Sequence, residues 1–233
     1  MAIPRALDPT GVILVDKPAG PSSFAMVAEV RARTGARTGH AGTLDPFASG
    51  LLVLLSGRAT SVQERFMRLD KRYVTEVNLS SRTATGDPEG ESVGEQDPPS
   101  AQDLAVALDG LRGMVELPIP AASAVKIDGE RAYRLHRRGV VVDMPVRAMR
   151  IDELLLSAYD GRVATLELLV GSGTYVRAIA DALGGHCVSL RRTEIGPFHA
   201  DEADPERVIP LDDALARLES VVPAAPRAGE PSR

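Results

Sequence analysis

The chain has 233 residues, 44% hydrophobic and 25% charged, with a formal net charge of -5 at pH 7, enough apolar content to bury a sizeable core and to exclude disorder along its whole length. No apolar run approaches the roughly 20 residues of a membrane span, and the start, Met1 to Arg5, lacks the build of a secretory signal, so no membrane partner is expected and the cytoplasm is the expected address. The one cysteine, Cys187, forbids an internal disulfide, and His40, His136, His186 and His199 never stand at ligand spacing, so neither a metal nor a disulfide scaffold is expected.

In chain order, the compact apolar run Gly11–Asp16 predicts a strand, stopped by Lys17-Pro18-Ala19-Gly20-Pro21. Ser22 or Ser23 caps a helix to about Arg33. Residues 34–50, with Gly35, Gly39, Gly42, Gly50 and Pro46, hold too many breakers for regular structure and read as a long loop of the kind that often carries function. Leu51 to Leu55 predicts a buried strand, Thr60 to Leu69 a helix, and the alternation from Lys71 to Ser80 a strand with one wetted face. The acidic stretch 81–99 reads as an exposed loop. Ser100 followed by Asp103 starts a helix to about Leu108, residues 114–126 mix apolar groups with prolines, and 129–138 predicts a short arginine-rich helix. Strands near 149–158 and 162–170 flank the Asp160-Gly161 hairpin signal; a helix at 174–183, a strand at about 187–194 and a helix at 211–218 follow. Residues 221–233 read as a disordered tail. Strands outnumber helices and few connections look like βαβ crossovers, which predicts a single α+β domain over 11–220 with a mixed, mostly antiparallel sheet flanked by helices and loops.

The average charge conceals a division. Residues 12–80 carry 9 basic against 6 acidic groups and residues 126–150 carry 7 against 3, while 81–120 (2 against 8) and 151–233 (8 against 14) hold the acid. Nearly all the basic groups are arginines, the side chain suited to bidentate phosphate contact and to stacking, although arginine richness also follows from genomic base composition. Within the glycine-rich loop, Pro46 biases Asp45 away from helical geometry and can hold its carboxylate outward. A turn aspartate bonded to nearby amides is the plainer reading of the same residues. A phosphate loop is excluded, because the segment matches neither G-x-x-x-x-G-K-[ST] nor G-x-G-x-x-G.

The segment Gly39-His-Ala-Gly-Thr-Leu-Asp45-Pro-Phe-Ala-Ser-Gly50-Leu51 resembles the catalytic motif of the TruB family of tRNA pseudouridine-55 synthases. Other stretches agree in order and spacing: Gly11 to Ser23 resembles the opening motif, Asp70-Lys-Arg-Tyr73 the tyrosine-bearing strand, and Ser123-Ala-Val-Lys126 with Gly129 and Ala132-Tyr133 the approach to the RNA-clasping thumb. Gly173-Thr-Tyr175-Val-Arg177 resembles the arginine motif and Leu190 to Phe198 the late strand, so the agreement covers about residues 11–215.

The resemblance implies the pseudouridine synthase fold with a thumb at about 126–147, and an isomerase that converts the T-loop uridine 55 of tRNA to its C-linked isomer without a cofactor. It assigns catalysis to Asp45, by attack or by assisting proton removal, and implies that the uridine is flipped out of the RNA. By the same resemblance Arg177 orients Asp45, Tyr73 stacks on the flipped uracil, Tyr175 and Leu190 shape the pocket, and Lys17 with Pro18 braces the loop. His40 fills the vacated stack, and Lys126, Arg131, Arg134, Arg137, Arg138 and Arg147 contact the T-arm backbone. No protein partner is implied and a monomer is expected. A non-catalytic RNA-binding or tRNA-folding module on this fold, or a synthase for another RNA, are the alternatives. The chain departs from the family pattern at Leu117 and Ala122, where a glutamine and a tyrosine are usual, at Ser172, where a lysine is usual, and in lacking an appended small RNA-binding PUA domain, an absence expected to weaken grip outside the T-arm.

Overall fold

The computed structural model describes residues 10–220; the expected tail at 221–233 lies outside them. Strand β1 (Gly11–Lys17) leads to helix α1 (Ser23–Thr34), strands β2 (Thr38–His40) and β3 (Ser49–Ser56), a 3-10 turn over Gly57–Val62, helix α2 (Gln63–Met67) and strand β4 (Lys71–Asn78). A hairpin of β5 (Ser81–Thr83) and β6 (Ser92–Glu95) precedes α3 (Ala101–Gly110) and β7 (Gly113–Pro118). A small hairpin, β8 (Lys126–Ile127) and β9 (Glu130–Arg131), carries α4 (Ala132–Arg137). The chain then runs through β10 (Val146–Tyr159), β11 (Val163–Val170), α5 (Val176–Ala182), β12 (His186–Ile195), β13 (Phe198–His199), a 3-10 turn over Ala200–Glu202, β14 (Asp204–Pro210) and α6 (Leu211–Ser220).

The central sheet has the order β14-β1-β3-β12-β4-β11-β10-β7, with β13 on β12 and β2 on β3. Every pairing is antiparallel except a short parallel contact between β12 and β3. The mixed, mostly antiparallel α+β architecture thus follows the sequence reading. Side chains that alternate along β1 and β3 explain their unbroken apolar character. Val12 and Leu14, with Leu51, Val53 and Leu55, pack toward Phe66 and Ala214, whereas Ile13, Val15, Leu52 and Leu54 pack toward Val27 and Val30 of α1. The largest core covers β4, β10 and β11 with α3 and α5. Among the described residues no helix is long and apolar enough to cross a membrane.

Several segments are more ordered than local composition predicts. The loop 34–50 contains β2, held to β3 through Thr38↔Ser56 and His40↔Leu54, because the sheet supplies partners that breakers alone do not forbid. The acidic 81–99 stretch folds into β5–β6, and 114–126 opens with β7 on β10. The expected helix at 60–69 is split between a 3-10 turn and α2, and the one at 129–138 starts later because Asp128 (φ 48) and Gly129 (φ 87) form the turn of β8–β9. Strand β14, which carries prolines at both ends, has no strand-like local signal and exists as an edge partner of β1.

Candidate active site

The site is built from the tight segment between β2 and β3. Ala41 N donates to Val53 O at 2.9 Å and Ala48 N to Asp45 O at 3.2 Å, which closes a turn with Asp45 near its apex. Two neighbouring elements and the link between them fix that turn. Ser23 in the first turn of α1 accepts from Leu44 N at 2.8 Å and donates to Leu44 O at 2.9 Å. Gly20 N donates to Pro46 O at 2.8 Å. Lys17 at the end of β1, fully buried, donates from Nζ to Pro18 O (2.8 Å), Pro21 O (2.9 Å) and Pro46 O (3.2 Å). Burial pushes the Lys17 ammonium below its usual range, and the Asp45 carboxylate opposes that push.

Arg177, in the first turn of α5 and 3% exposed, meets the turn from the other side. Its Nε donates to Asp45 Oδ2 at 2.9 Å and its Nη2 to Asp45 Oδ1 at 3.1 Å, a fork that fixes the carboxylate plane. The remaining donors reach Thr85 O (2.7 Å) and Ala122 O (2.9 Å), and Nη1 stands 3.3 Å from Asp87 Oδ2. Asp87 is buried and bonded to Thr85 Oγ1 (2.5 Å) and Glu89 N (3.1 Å). One guanidinium is therefore shared by two carboxylates, of which only Asp45 is open to solvent, its side chain 32% exposed.

Asp45 and Arg177 line a cleft of about 1030 Å³, a volume that admits a nucleotide-sized ligand. Tyr73, Tyr175 and Leu190 line it too. Lys17 lies beneath the turn, outside that lining. His40 also lies outside it: its backbone carbonyl accepts from Gln63 Nε2 at 2.9 Å, and its Nδ1 is buried without a hydrogen-bond partner. Burial and the nearby Arg192 push the imidazole down, which favours the neutral ring.

The basic segment is only partly in the cleft. Arg137 lines it together with Tyr133 and His136, whereas Lys126, Arg131, Arg134, Arg138 and Arg147 do not. Arg131 donates to Ala124 O, Arg138 pairs with Glu130 at 2.8 Å, and the guanidiniums of Arg134 and Arg137 stack on the Tyr133 ring at 5.9 and 5.7 Å. At the departures from the expected pattern, Ala122 contributes its carbonyl rather than its side chain, and Ser172 Oγ donates to Met67 O at 2.7 Å.

Sequence reading missed Asp87, Lys71 and Arg192. Arg192, 1% exposed, donates to Leu51 O (2.7 Å), Gly42 O (3.1 Å) and Tyr73 OH (3.5 Å), so it joins β3, the Asp45 turn and β4. The available signal was its place in β12, where alternation turns Arg192 toward the same side as Leu190. Asp87 sits in a stretch whose acidity reads as solvation, and no local pattern separates it from Glu89 or Glu91. Among the described residues no cluster of three His, Cys, Asp or Glu side chains could hold a metal ion.

Residues 30–176 match the family described as TruB family pseudouridylate synthase (N-terminal domain). The chain is similar to the tRNA pseudouridine synthase B of Corynebacterium aurimucosum, at 37% identity over 232 residues, covering 91% of this chain and 78% of the relative. It is 40% identical over 209 residues to that of a Mycobacterium species (84% and 70%) and 38% over 205 residues to that of Tropheryma whipplei (83% and 54%). Among solved structures, a chain of a Cbf5-Nop10-Gar1 complex superposes with a TM-score of 0.64 at 27% identity, covering 83% of this chain and 51% of that one. A chain of an H/ACA RNP bound to a substrate RNA containing 2'-deoxyuridine superposes with a TM-score of 0.60 at 25% identity, covering 82% and 49%. This chain thus spans about half the length of those solved chains and of the Tropheryma relative.

Proposed function

The chain belongs to the TruB family of pseudouridylate synthases, and from that premise we propose that it isomerises a tRNA uridine, at position 55 of the T-loop, to pseudouridine. The observation that carries the reading is the bidentate Arg177–Asp45 pair at the wall of an open cleft, with one carboxylate accessible and its partner guanidinium buried. In the reaction the N1–C1′ bond breaks, the uracil turns, C5 bonds to C1′, the C5 proton leaves and N1 regains one. Atoms and electrons balance without an external oxidant or reductant, so the chemistry calls for no redox cofactor.

A paired base is out of reach of a wall-mounted carboxylate, so the uridine is extruded, at a cost of roughly a few kcal/mol in stacking and pairing. Tyr73 stacks on the flipped uracil, a contact worth about 1–3 kcal/mol, with Leu190 and Tyr175 as further walls. His40 occupies the vacated place in the loop. Asp45 then acts at the ribosyl-uracil either by attack or by assisting proton removal, and either route needs the fixed plane that Arg177 imposes. Arg137 and the basic residues Lys126, Arg131, Arg134 and Arg138 hold the T-arm backbone, a positioning role without sequence choice. We assign the catalytic domain to residues 11–220, with the thumb at about 126–147, working as a monomer in the cytoplasm.

The test is incubation of an unmodified tRNA transcript with wild-type or Asp45→Ala protein, followed by site-resolved pseudouridine detection. Product at position 55 with the wild type and none with Asp45→Ala, which still binds the RNA, is the expected result. Binding with no product from either protein indicates a non-catalytic RNA module, and product at another position indicates a synthase for a different site.

A further inference from the structure

Two cations of the cleft have no part in the chemistry described above. Lys71 and Arg192 both line the cleft and converge beneath Gly42, where a Cβ would stand 3.6 Å from Arg192 Nη1 and 3.9 Å from Lys71 Cε. They are 6% and 1% exposed. Lys71 Nζ donates to Met67 O at 2.6 Å and to Leu69 O, which leaves one of its three hydrogens unused. Among the described residues no carboxylate oxygen lies within 4.0 Å of Lys71 Nζ or of the Arg192 guanidinium, and the acids nearby in the chain are taken: Asp70 pairs with Arg150, and Glu194 with Arg72.

A buried charge without a counter-ion is costly, and two side by side more so. Burial and then Arg192 push the Lys71 ammonium down to about 8, while the charge of Asp70 opposes them. Both side chains also serve the fold, Arg192 through Leu51 O, Gly42 O and Tyr73 OH and Lys71 through Met67 O and Leu69 O, but these neutral acceptors bring no negative charge to offset the two cations. The same cleft lining holds acids: Asp45 and Asp87 share the single guanidinium of Arg177, and Glu89 and Glu91 add to them. A lining with two cations that lack a carboxylate partner among the described residues, together with the acid Asp45, matches a nucleotide, which offers both a ribose and a singly charged phosphodiester.

We propose that Lys71 and Arg192 form a phosphate subsite, in which Lys71 contacts the backbone phosphate next to the extruded uridine and Arg192 supplies a second charge behind it. The proposal rests on the reading that an RNA nucleotide enters this cleft.

The experiment measures Kd for T-arm stem-loops in the Asp45→Ala background, so that turnover does not intervene. The RNA carries native linkages or a single neutral methylphosphonate at each linkage flanking the target uridine, and the protein carries Lys71, Lys71→Gln or Lys71→Arg. Neutralising one flanking linkage is expected to weaken binding to the Lys71 protein by between about threefold and a hundredfold, and Lys71→Gln to weaken binding of native RNA by a like factor. The two changes together should cost no more than either alone, and Lys71→Arg should restore sensitivity to the linkage. Multiplying losses, or native RNA bound as tightly by Lys71→Gln as by the Lys71 protein, overturns the subsite. Should Lys71→Gln fail to fold, the linkage scan with Lys71 intact still decides, because insensitivity at every flanking linkage also overturns it. Pseudouridine formation by the wild type on native RNA is read separately, so failure of the isomerase reading and failure of the subsite are distinct results.

Discussion

At the scale of single residues, the candidate site depends on how few donors serve many acceptors. Arg177 satisfies Asp45, Asp87 and two backbone carbonyls, so its loss strands the buried Asp87 as well as freeing Asp45. Arg177→Ala is expected to destabilise the fold by about 3–5 kcal/mol, the cost of breaking a buried pair, which a drop in the thermal midpoint of at least about 6 °C would report. Lys71 makes a prediction of opposite character. Its ammonium is lowered to about 8 from an ordinary 10.5, so below pH 8 folded and unfolded chains are both protonated and this group adds no pH dependence. Between the two values the unfolded chain holds more protons, and stability from this group rises with pH. Urea midpoints at the two ends of that window should therefore show wild type gaining on Lys71→Met as pH increases; a parallel response of the two proteins contradicts the assignment. Of these residues Asp45, Arg177 and Tyr73 are legible because they stand in recognisable motifs. Asp87 lies outside those motifs and Arg192, though inside the late-strand segment Leu190–Phe198, is not marked there, since an acid in an acidic stretch and an arginine in a doublet look solvated until the fold encloses them.

At the scale of elements, the Asp45 turn is held by its neighbours more than by its own bonds. Ser23 gives α1 a grip on both backbone groups of Leu44, and it is buried. Ser23→Ala should cost about 1–3 kcal/mol through the unsatisfied amide and carbonyl, and it should lower kcat without moving RNA affinity because the turn, and not the RNA surface, loosens. Separate kcat and Kd measurements check this. Gly50, with φ 105, brings β3 against β12 so closely that a Cβ would stand 2.2 Å from Arg192 O. Gly50→Ala is expected to separate β3, which follows the Asp45 turn, from β12, which carries Arg192, and to show as loss of soluble folded protein on expression. The spans of β1, β3, β4, β11 and α1 were legible from continuous or alternating apolar residues and from the Ser22 cap. Strands β2, β5, β6, β7 and β14 were not, because their residues are polar or glycine- and proline-rich and only a neighbouring strand makes them regular.

At the scale of the whole molecule, Cys187 reports on the core. It is fully buried, and desolvation pushes its thiol up to about 12. A thiol-reactive dye should therefore label it in guanidinium chloride and leave it untouched in native buffer, and the onset of labelling with denaturant should coincide with loss of helical circular dichroism. Early labelling would show that β12 and β4 separate before the rest unfolds.

The amino-acid sequence by itself determined where most strands and helices lie, which loop is dense in breakers, and the ordered set of motifs that carries the family resemblance, because periodicity, capping and turn chemistry are local. Only the tertiary structure decided that a side chain 132 residues away forks onto Asp45, that Asp87 shares that guanidinium, that Arg192 reaches under Gly42, and that His40 lies outside the cleft lining. The physical reason is the strand order. A sheet arranged β14-β1-β3-β12-β4-β11-β10-β7 brings distant segments side by side, and burial then turns ordinary charges into partners that no local pattern distinguishes.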